Sequence, residues 1–571
     1  MTTRIEQTVA TPQGRLKVLY ILLALLLVIV VGKLFQRQIL EHSYFAALAR
    51  SQHLTSEIIP ALRGEILVYD QELRENYPLA TNVTLFTLSA VPKQIRYPEL
   101  TASKLKPFLP DWDEEKLKEE LSSDKLYLPP LKRKLTEEET QEIKALELPG
   151  IYITTDKYRY YPEGTLAAHV LGFVNRDRIG QYGVEGFFEE QLHGVDGFLR
   201  AERDTQGQQI ALGQRRSLEP QEGISIVLTL NRAIQYYAEK ALKEAVEKHQ
   251  AKQGSVIIMD PKTGEILAMA SYPNFDPNLY NETPIEHFTS INVSGVYEPG
   301  SVFKIITMAS AIDAGLVSPN TTYVDSGSVQ ILDRTIKNSQ DKVYGEVNMT
   351  KVIEQSINTG AVFAAQKLGK QLFYKYLKDF GFTDKTGVEL AGEVRSGIKV
   401  PRQWTDVDLA TMSYGQGIAV TPIQLLTAMA AIANGGKLMQ PHLTQEILYD
   451  RGPVKIAPRE IAQVVSPQTA QLVSAMMVNV VENGHGQRAG VPGYYIGGKT
   501  GTAQIPVPGG YAANRTIGTF VGFGPAENPQ FAMLVRIDEP KDVQFAESSA
   551  APLFGRIAKF ILDYLQIPPT R

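Results

Sequence analysis

The chain has 571 residues and no cysteine, and only 8 of its residues are histidine. The absence of cysteine excludes thiol nucleophiles, disulfide bonds and thiolate metal sites. The histidines show no metal-ligand spacing, so we expect neither a metal ion nor another cofactor. The formal net charge is −4, which gives no indication of a nucleic-acid partner. The chemistry to look for is therefore that of hydroxyl, amine and carboxylate groups.

Long apolar runs are also scarce. One segment near the N-terminus, 18–32, is uncharged and almost wholly apolar, and a lysine flanks it on each side. It falls short of the roughly 20 residues that cross a bilayer, but counting from 16 to 35, with both lysines reaching toward the interfaces, restores the length. A cleavable signal peptide is the alternative, although no small-residue cleavage site follows soon after the run. The sequence therefore predicts a retained membrane anchor over 16–35. The charges on its two sides do not decide its orientation, and only the location of the substrate places the tail over 1–15 in the cytoplasm.

The remaining chain has the composition of a globular protein, with 43% apolar and 21% charged residues. Its length is enough for two or three domains. Residues 36–222 mix short strand-like segments with a stretch rich in Glu and Lys, 111–148, which we interpret as a solvated helical subdomain. At Gly223 longer apolar strands and amphipathic helices begin. We therefore predict a first domain over 36–222 and a second over 223–571.

The second domain has the elements of an α+β fold. Amphipathic helices are predicted after Asn231 and over 554–565. Strands are predicted at 255–259, 265–270, 494–503, 516–523 and 531–537. Because hairpin-like connections join the first two strands and the last two, we expect a five-stranded antiparallel sheet with helices on its faces. A largely helical insertion, 301–490, separates the first hairpin from the third strand.

Three short motifs follow one another in this domain: S-V-F-K at residues 301–304, S-I-N at 356–358 and K-T-G at 499–501. Each motif alone is a weak signal, because each type also occurs elsewhere in the chain. Further S-x-x-K, S-x-N and K-T-G sequences begin at Ser103, Ser122, Ser339, Ser396, Ser290, Ser318, Lys262 and Lys385. The order of the three motifs and the local context of each one therefore decide which copies carry function.

The context of Ser301 is that of a residue at the beginning of a helix. It follows Glu-Pro-Gly and opens an apolar run that extends to Leu316, and Lys304 lies one helical turn later on the same face. The S-I-N motif lies at a predicted corner between two helices. Thr500 and Thr502 are two residues apart in a predicted strand, so their hydroxyls share one face.

These residue types indicate serine acyl transfer. A serine hydroxyl is a poor nucleophile unless a base lies beside it. Lys304 can be that base if its amine is neutral, and both burial and a second cation, Lys499, would lower its pKa. Backbone N–H groups at the N-terminus of the helix that begins at Ser301 can stabilise a developing oxyanion. The motifs together predict an enzyme that needs neither histidine nor metal.

The same motifs resemble the signature of penicillin-binding proteins and β-lactamases, with Ile357 where that signature has Asp. Over nearly its full length the chain resembles a class B penicillin-binding protein: a membrane-anchored, mixed α/β pedestal followed by a penicillin-binding transpeptidase domain. The resemblance rests on the anchor and on the segments 63–66, 159–164, 169–173, 183–185, 297–301, 413–417 and 498–504. The Y-E-P-G-S and S-Y-G-Q-G forms are more similar to the division branch, which is FtsI-like, than to the elongation branch.

The resemblance implies a peptidoglycan D,D-transpeptidase that releases D-Ala. Ser301 would form an acyl-enzyme with a stem peptide that ends in D-Ala-D-Ala, and Lys304 would be its base. Ser356 would relay a proton to the leaving amine, and Asn358 would orient Lys304 and the substrate amide. Lys499 completes the expected catalytic set.

The K-T-G strand would bind the substrate. By resemblance, Thr500, Gly501 and Thr502, with Lys499 in support, receive the C-terminal carboxylate, and the N–H groups of Ser301 and Thr502 form the oxyanion hole. β-Lactams would be inhibitors. Because no glycan-polymerising domain fits beside the predicted domains, we expect a SEDS-family glycosyltransferase and other division proteins as partners. The catalytic domain is expected on the outer side of the cell membrane, where the cell-wall substrate lies.

Three alternatives stay open at this point. Water instead of an amine could take the acyl group, which would make the protein a D,D-carboxypeptidase or a β-lactamase. The protein could serve cell elongation instead of division. A non-catalytic division scaffold or a β-lactam sensor is the third possibility, but the intact Ser301, Lys304 and Lys499 argue against a dead scaffold, and the predicted tail over 1–15 leaves no room for a signalling part.

Overall fold

The computed structural model describes residues 12–45, 54–70, 74–202, 215–508 and 510–571. The chain forms two compact units. The first contains the N-terminal segment up to Ala61 and Val195–Glu222, and the second contains Leu62–Gly194 and Gly223–Arg571. Most of the predicted pedestal therefore belongs to the same unit as the catalytic domain. The domain bounds 36–222 and 223–571 stay predictions.

The first unit begins with an apolar helix. An α-helix over Pro12–Phe35 continues as a π-helix over Gln36–Leu40. Leu16–Leu40 has a mean hydropathy of 2.9 and, among the described residues, is the one helix long and apolar enough to cross a membrane. None of it is buried by protein. Apolar side chains exposed along a whole helix are consistent with a single-pass membrane anchor, which agrees with the predicted span and lengthens it by about one turn.

A small antiparallel sheet completes the described part of the first unit. Its strands, in spatial order, are Leu54–Ile59, Gly197–Glu202 and Arg215–Leu218.

The pedestal part of the second unit is mixed α/β, as predicted. Its helices are Pro98–Leu105, Glu114–Leu121, Glu137–Ala145, Ala168–Leu171, Gly183–Phe187 and Glu189–His193. Its strands are Ile66–Asp70, Glu75–Ala90, Lys132–Leu135, Ile151–Tyr160, Phe173–Val174 and Gly180–Gln181. The stretch 111–148 contains two of these helices, and a capping box between Thr136 and Glu139 starts the second of them.

One sheet joins this part to the catalytic domain. In spatial order its strands are Gly452–Lys455, Thr444–Tyr449, Ser225–Leu228, Ile66–Asp70, Glu75–Ala90 and Lys132–Leu135, with Ile151–Tyr160 also paired to Glu75–Ala90. The chain must come very close at Gly64, where a Cβ atom would lie 2.1 Å from the carbonyl oxygen of Ile224. Segments far apart in sequence thus form one continuous hydrogen-bonded layer.

The predicted five-stranded antiparallel sheet is confirmed. Its strands are β1 (Gln253–Met259), β2 (Ile266–Tyr272), β3 (Gly497–Val507), β4 (Gly510–Gly524) and β5 (Phe531–Asp538). Their order is β2-β1-β5-β4-β3, so β3 is an edge strand. The helices Arg232–Lys248 and Ala550–Tyr564 pack against the sheet with their apolar sides, and Asn231 caps the first of them.

The insertion between β2 and β3 is less helical than predicted. Its helices are Ile291–Ser294, Lys304–Asp313, Met349–Glu354, Asn358–Asp379, Asp406–Met412, Pro422–Ala433 and Pro467–Asn483. Besides the strands Thr444–Tyr449 and Gly452–Lys455 of the sheet above, it contains three short strand pairs: Thr322–Asp325 with Gly345–Asn348, Ser328–Ile331 with Arg334–Lys337, and Lys437–Met439 with Glu460–Gln463. Strands of three or four residues are too short to show a periodic apolar pattern, so the sequence did not indicate them.

Candidate active site

Ser301 lies in a 3-10 turn, Gly300–Phe303, that leads directly into the helix Lys304–Asp313. This arrangement confirms the predicted helix start. Gly300 has a φ of +60°, which favours glycine, and its N–H donates to the Gly415 carbonyl at 3.1 Å. The neighbouring Val302 and Phe303 are fully buried, whereas Ser301 is half-buried. Buried neighbours hold the turn while the serine stays accessible.

Strand β3 passes directly beside this turn. A Cβ atom on Gly501 would lie 2.6 Å from the Pro299 carbonyl oxygen and 2.6 Å from Val302 Cγ2. No larger residue fits there unless the turn moves. Gly501 was predicted as a substrate-binding residue, and the structure gives it a steric reason: it lets the K-T-G strand approach the Ser301 turn.

Lys304 is fully buried, and its amine faces the S-I-N corner. Its Nζ donates to the Ser356 carbonyl at 2.5 Å, to Asn358 Oδ1 at 2.7 Å and to Ser356 Oγ at 3.2 Å. All three acceptors are neutral oxygens. Burial, and then the charge of Lys499, lower the pKa of Lys304 well below its usual range.

Lys499 reaches the same hydroxyl from strand β3. It is fully buried, and its Nζ donates to Ser356 Oγ at 3.0 Å and to the Thr500 carbonyl at 2.9 Å. Burial lowers the pKa of Lys499 to about 7. The hydroxyl of Ser356 therefore bridges two lysines that approach from different elements, and the pKa of each amine is lowered by burial.

The S-I-N corner holds this bridge in place. Ser356 has a φ of +56°, a conformation that is uncommon outside glycine, at the junction of the helices Met349–Glu354 and Asn358–Asp379. Ile357 is 1% exposed and belongs to the hydrophobic core, so this motif position anchors the corner. Asn358 Nδ2 donates to the Lys337 carbonyl at 2.8 Å, which turns its Oδ1 toward Lys304.

The two threonines of β3 differ in their surroundings. Thr500 is 8% exposed, and its Oγ1 lies 3.5 Å from Lys499 Nζ. Thr502 is half-buried, and its Oγ1 accepts the Ala546 N–H at 3.0 Å. Because an accepting hydroxyl still has its own O–H to donate, both threonines can donate to a carboxylate.

One contact beside the nucleophile was not predicted. The carboxylate of Glu298 accepts the Gly417 N–H at 3.0 Å and the Tyr511 hydroxyl at 3.1 Å. Burial raises the pKa of Glu298. This carboxylate ties the residues before Ser301 to the 413–417 loop and to the β3–β4 hairpin. The partners are far apart in sequence, so no local pattern could have paired them.

Three of the other copies of the motifs lie in ordinary structural positions. Lys262 occupies the turn between β1 and β2, as predicted. Ser122 caps the end of a helix, with its Oγ donating to the Lys118 carbonyl at 2.7 Å. Ser396 is 2% exposed, and its hydroxyl donates to the Phe382 carbonyl. These contacts agree with the choice of the motifs at 301, 356 and 499.

Comparison with known proteins identifies the family of this chain. The penicillin-binding protein transpeptidase domain model matches residues 254–559, and the penicillin-binding protein dimerisation domain model matches residues 58–228. Stage V sporulation protein D of Bacillus subtilis is 35% identical over 518 residues, which cover 89% of this chain and 79% of that protein. A protein of Neisseria meningitidis named probable peptidoglycan D,D-transpeptidase PenA is 30% identical over 565 residues, covering 98% and 94%.

The fold has a matching crystal structure. It is penicillin-binding protein 3 of Mycobacterium tuberculosis, solved in complex with aztreonam, which superposes with a TM-score of 0.70 at 28% sequence identity. The superposition covers 90% of this chain and 98% of that structure. The two matched domain models follow one another in the order of the pedestal part and the catalytic part of this chain. The chain therefore belongs to the penicillin-binding protein transpeptidase family, as a class B, FtsI-type serine transpeptidase.

Proposed function

We propose that this protein is a peptidoglycan D,D-transpeptidase that cross-links stem peptides through an acyl-enzyme on Ser301 during septal cell-wall synthesis. The observation that carries the proposal is the Ser356 hydroxyl, which lies within 3.2 Å of Lys304 Nζ and 3.0 Å of Lys499 Nζ. A relative with 30% identity is named as a probable peptidoglycan D,D-transpeptidase.

Acylation begins with neutral Lys304. It takes the proton of Ser301 as the serine oxygen bonds to the carbonyl carbon of the penultimate D-Ala. The N–H groups of Ser301 and Thr502 stabilise the oxyanion, and loss of one such donor typically costs about 10²–10³ in rate. The C–N bond to the terminal D-Ala then breaks. The proton on Lys304 passes through Ser356 Oγ to the leaving nitrogen, so D-Ala departs with an uncharged amino group.

The terminal carboxylate of the donor stem binds beside β3. Thr500 and Thr502 donate hydroxyl hydrogen bonds to it, and Lys499 in its charged form supplies the positive field. The same contacts suit the carboxylate of a β-lactam, which acylates Ser301 by opening its four-membered ring.

Deacylation needs the amine of a neighbouring stem. The amine attacks the acyl carbon, the ester bond to Ser301 breaks, and the proton of the amine returns to the serine oxygen. If water took the place of the amine, the enzyme would be a D,D-carboxypeptidase or a β-lactamase. Incubation with a stem peptide, with and without an amine acceptor, distinguishes the two: the proposal expects a cross-linked product, and hydrolysis alone would contradict it.

The decisive experiment is labelling of the purified full chain with a fluorescent penicillin, followed by mapping of the modified peptide. We expect one adduct, on the peptide that carries Ser301, and none in Ser301→Ala. Ser339→Ala, which alters another S-x-x-K serine, is the matched control and should label as the wild type does. An adduct on Ser103, Ser122, Ser339 or Ser396 would contradict the assignment.

The orientation of the protein in the membrane is inferred from the location of its substrate. We place residues 36–571 outside the cytoplasm, because cell-wall stems are cross-linked there and one apolar helix precedes the domain. Protease added to spheroplasts should digest the catalytic domain. Protection until lysis would refute this orientation.

The septal role rests on the Y-E-P-G-S and S-Y-G-Q-G forms and on FtsI-type relatives. We expect a separate SEDS-family glycosyltransferase to supply glycan strands and to contact the anchor, because one apolar helix can pack on another in lipid. Depletion should give filaments with unfinished septa, whereas rounded cells with normal septa would assign the protein to elongation.

A sporulation role is the second candidate, since stage V sporulation protein D is 35% identical. Normal vegetative growth with defective spores after deletion would favour it over the septal role.

A further inference from the structure

A buried carboxylate stands behind the S-I-N corner. Asp325 is 2% exposed. Its Oδ1 accepts hydrogen bonds from Thr359 Oγ1 at 2.6 Å, from Asn338 Nδ2 at 3.0 Å and from the Gly327 N–H at 3.1 Å. Its Oδ2 accepts from the Tyr344 N–H at 2.8 Å and from Asn338 Nδ2 at 2.9 Å. Burial raises the pKa of Asp325, but these hydrogen bonds outweigh it and hold the pKa below its usual value.

Hydrogen bonds connect this carboxylate to the catalytic lysine. Asn338 Oδ1 accepts the N–H of Thr359 at 3.2 Å, and Thr359 directly follows Asn358 in the helix. The residue before Asn338 is Lys337, whose carbonyl accepts from Asn358 Nδ2 at 2.8 Å. Asn358 Oδ1 in turn accepts from Lys304 Nζ at 2.7 Å. Asp325 thus binds Thr359 and Asn338, which are the chain neighbours of Asn358 and of the Lys337 that holds the Asn358 side chain.

We propose that Asp325 is a positioning residue for acylation of Ser301. It holds the hairpin residue Asn338 and the first turn of the Asn358–Asp379 helix together, so that Asn358 keeps its oxygen on Lys304. Asp325 touches neither the substrate nor the reacting atoms, and its effect passes through Asn338, Thr359 and Asn358. The inference rests on the proposed function, because acylation of Ser301 is the step that Asp325 would support.

The chemistry of the cluster favours a carboxylate over any neutral side chain. Four groups donate to it, and an ionised carboxylate accepts at both oxygens, with shorter and stronger hydrogen bonds than a neutral acceptor makes. An asparagine at 325 would bring an NH₂ group against at least one of those donors. A negative charge also suits the N-terminal turn of a long helix, where the backbone dipole is positive.

The test is the rate of acylation of the full-length protein by a fluorescent penicillin, with the labelled fraction at saturation measured separately. In Asp325→Asn we expect the rate to fall about 10- to 100-fold, because a small misplacement of a catalytic group costs that much. The labelled fraction should stay near one. Asp333→Asn removes the same charge from the exposed tip of the neighbouring hairpin and should leave the rate unchanged.

Two further variants separate positioning from a general loss of structure. Thr359→Val removes the hydroxyl that Asp325 accepts from and should slow acylation, whereas Thr359→Ser keeps it and should react nearly as the wild type does. If Asp325→Asn does not fold, this pair decides the question. Equal rates for the valine and serine variants would overturn the proposal.

A double-mutant cycle asks whether Asp325 acts through Asn358. In the Asn358→Ala background, Asp325→Asn should cost less than about twofold, because the connection is already broken. If the two substitutions slow acylation independently, so that their fold-losses in rate multiply, the proposal is contradicted. Labelling that persists in Ser301→Ala would mean that the proposed function has failed, whereas a silent Ser301→Ala with a wild-type rate for Asp325→Asn would mean that only this inference has failed.

Discussion

In the described part of the molecule, a pair of buried arginines in the pedestal and a pair of buried lysines in the active site respond to burial in opposite ways. In the pedestal part, Arg63 and Arg159 each contact Glu185 at 2.6 Å, and Arg63 also contacts Glu189 at 2.7 Å. The two arginine side chains are 6% and 3% exposed, and that of Glu185 is fully buried. The carboxylates outweigh the effect of burial and raise the pKa of Arg63.

Among the described residues, no carboxylate contacts the amines of the catalytic pair. The described hydrogen bonds of the Lys304 and Lys499 amines all end on neutral oxygens, from Ser356, Asn358 and Thr500. Burial therefore lowers both pKa values instead of being offset. The same cost of burying a cation yields a charged structural joint in one place and a lysine with a lowered pKa, suited to act as a base, in the other.

The largest expected effect, on the acylation rate, comes from replacing the catalytic lysine with arginine, the cation of the pedestal cluster. Arginine stays protonated at any ordinary pH, so Lys304→Arg keeps the charge but cannot accept the serine proton. We expect the acylation rate to fall by about 10²–10⁴, the usual contribution of a general base. The reverse exchange, Arg63→Lys, is the control: it should weaken stability but leave the rate of the folded protein unchanged. A Lys304→Arg enzyme with normal acylation would show that Lys304 is not the base.

Loss of the carboxylate that Arg63 and Arg159 share in the pedestal part should reduce the stability of the protein. Glu185→Gln leaves two buried arginines without their shared carboxylate, and we expect the free energy of unfolding to fall by about 3–5 kcal/mol. Urea unfolding measures it, with the exposed neighbour Glu190→Gln as the control, expected to stay within about 0.5 kcal/mol of the wild type. A small loss for Glu185→Gln would mean that the cluster is not a structural joint.

The catalytic pair should make stability depend on pH. Between its folded pKa of about 7 and its unfolded pKa of about 10.4, Lys499 is neutral when folded but protonated when unfolded. Unfolding therefore takes up a proton, and this lysine makes stability rise by up to about 1.4 kcal/mol per pH unit over that window. Its cost to stability is largest below about pH 7.

Lys499→Met should remove this cost. The variant is expected to be more stable than the wild type below about pH 7, with an advantage that shrinks toward about pH 10. Urea unfolding across this range measures the difference, and Lys262→Met, at the exposed lysine of another K-T-G sequence, should show no such trend. A pH-independent difference would mean that Lys499 keeps its charge when buried.

The smallest expected effect comes from removing the hydroxyl of Thr500, which lies beside Lys499. Thr500→Val removes one donor to the substrate carboxylate, and we expect acylation by a penicillin to slow by about tenfold, the worth of one hydrogen bond to a charged group. The amide derivative of the same penicillin lacks that charge and should lose much less. Equal losses for both compounds would mean that Thr500 only shapes the strand.

Local patterns explain which features could be predicted from the sequence. The predicted strands are runs of five or more residues and their flanking helices have an apolar stripe, and Ser301 follows a Glu-Pro-Gly turn that marks a helix start. The hairpin strand Thr322–Asp325 is only four residues long. It carried no such pattern, so the Asp325 cluster could not be foreseen. The contact between Glu298 and Tyr511 spans 213 residues and was missed for the same reason.

The sequence by itself determined the apolar anchor, the α+β elements, the order of the three motifs and, through them, the family. Only the tertiary structure decided that Lys304 and Lys499 meet at one hydroxyl, with no carboxylate of the described residues beside them, although Lys499 lies 143 residues from Ser356. The physical reason is that a motif specifies which groups are present, whereas the pKa of a lysine depends on how much water and which charges surround it. Those surroundings are set by packing between elements that are distant in sequence.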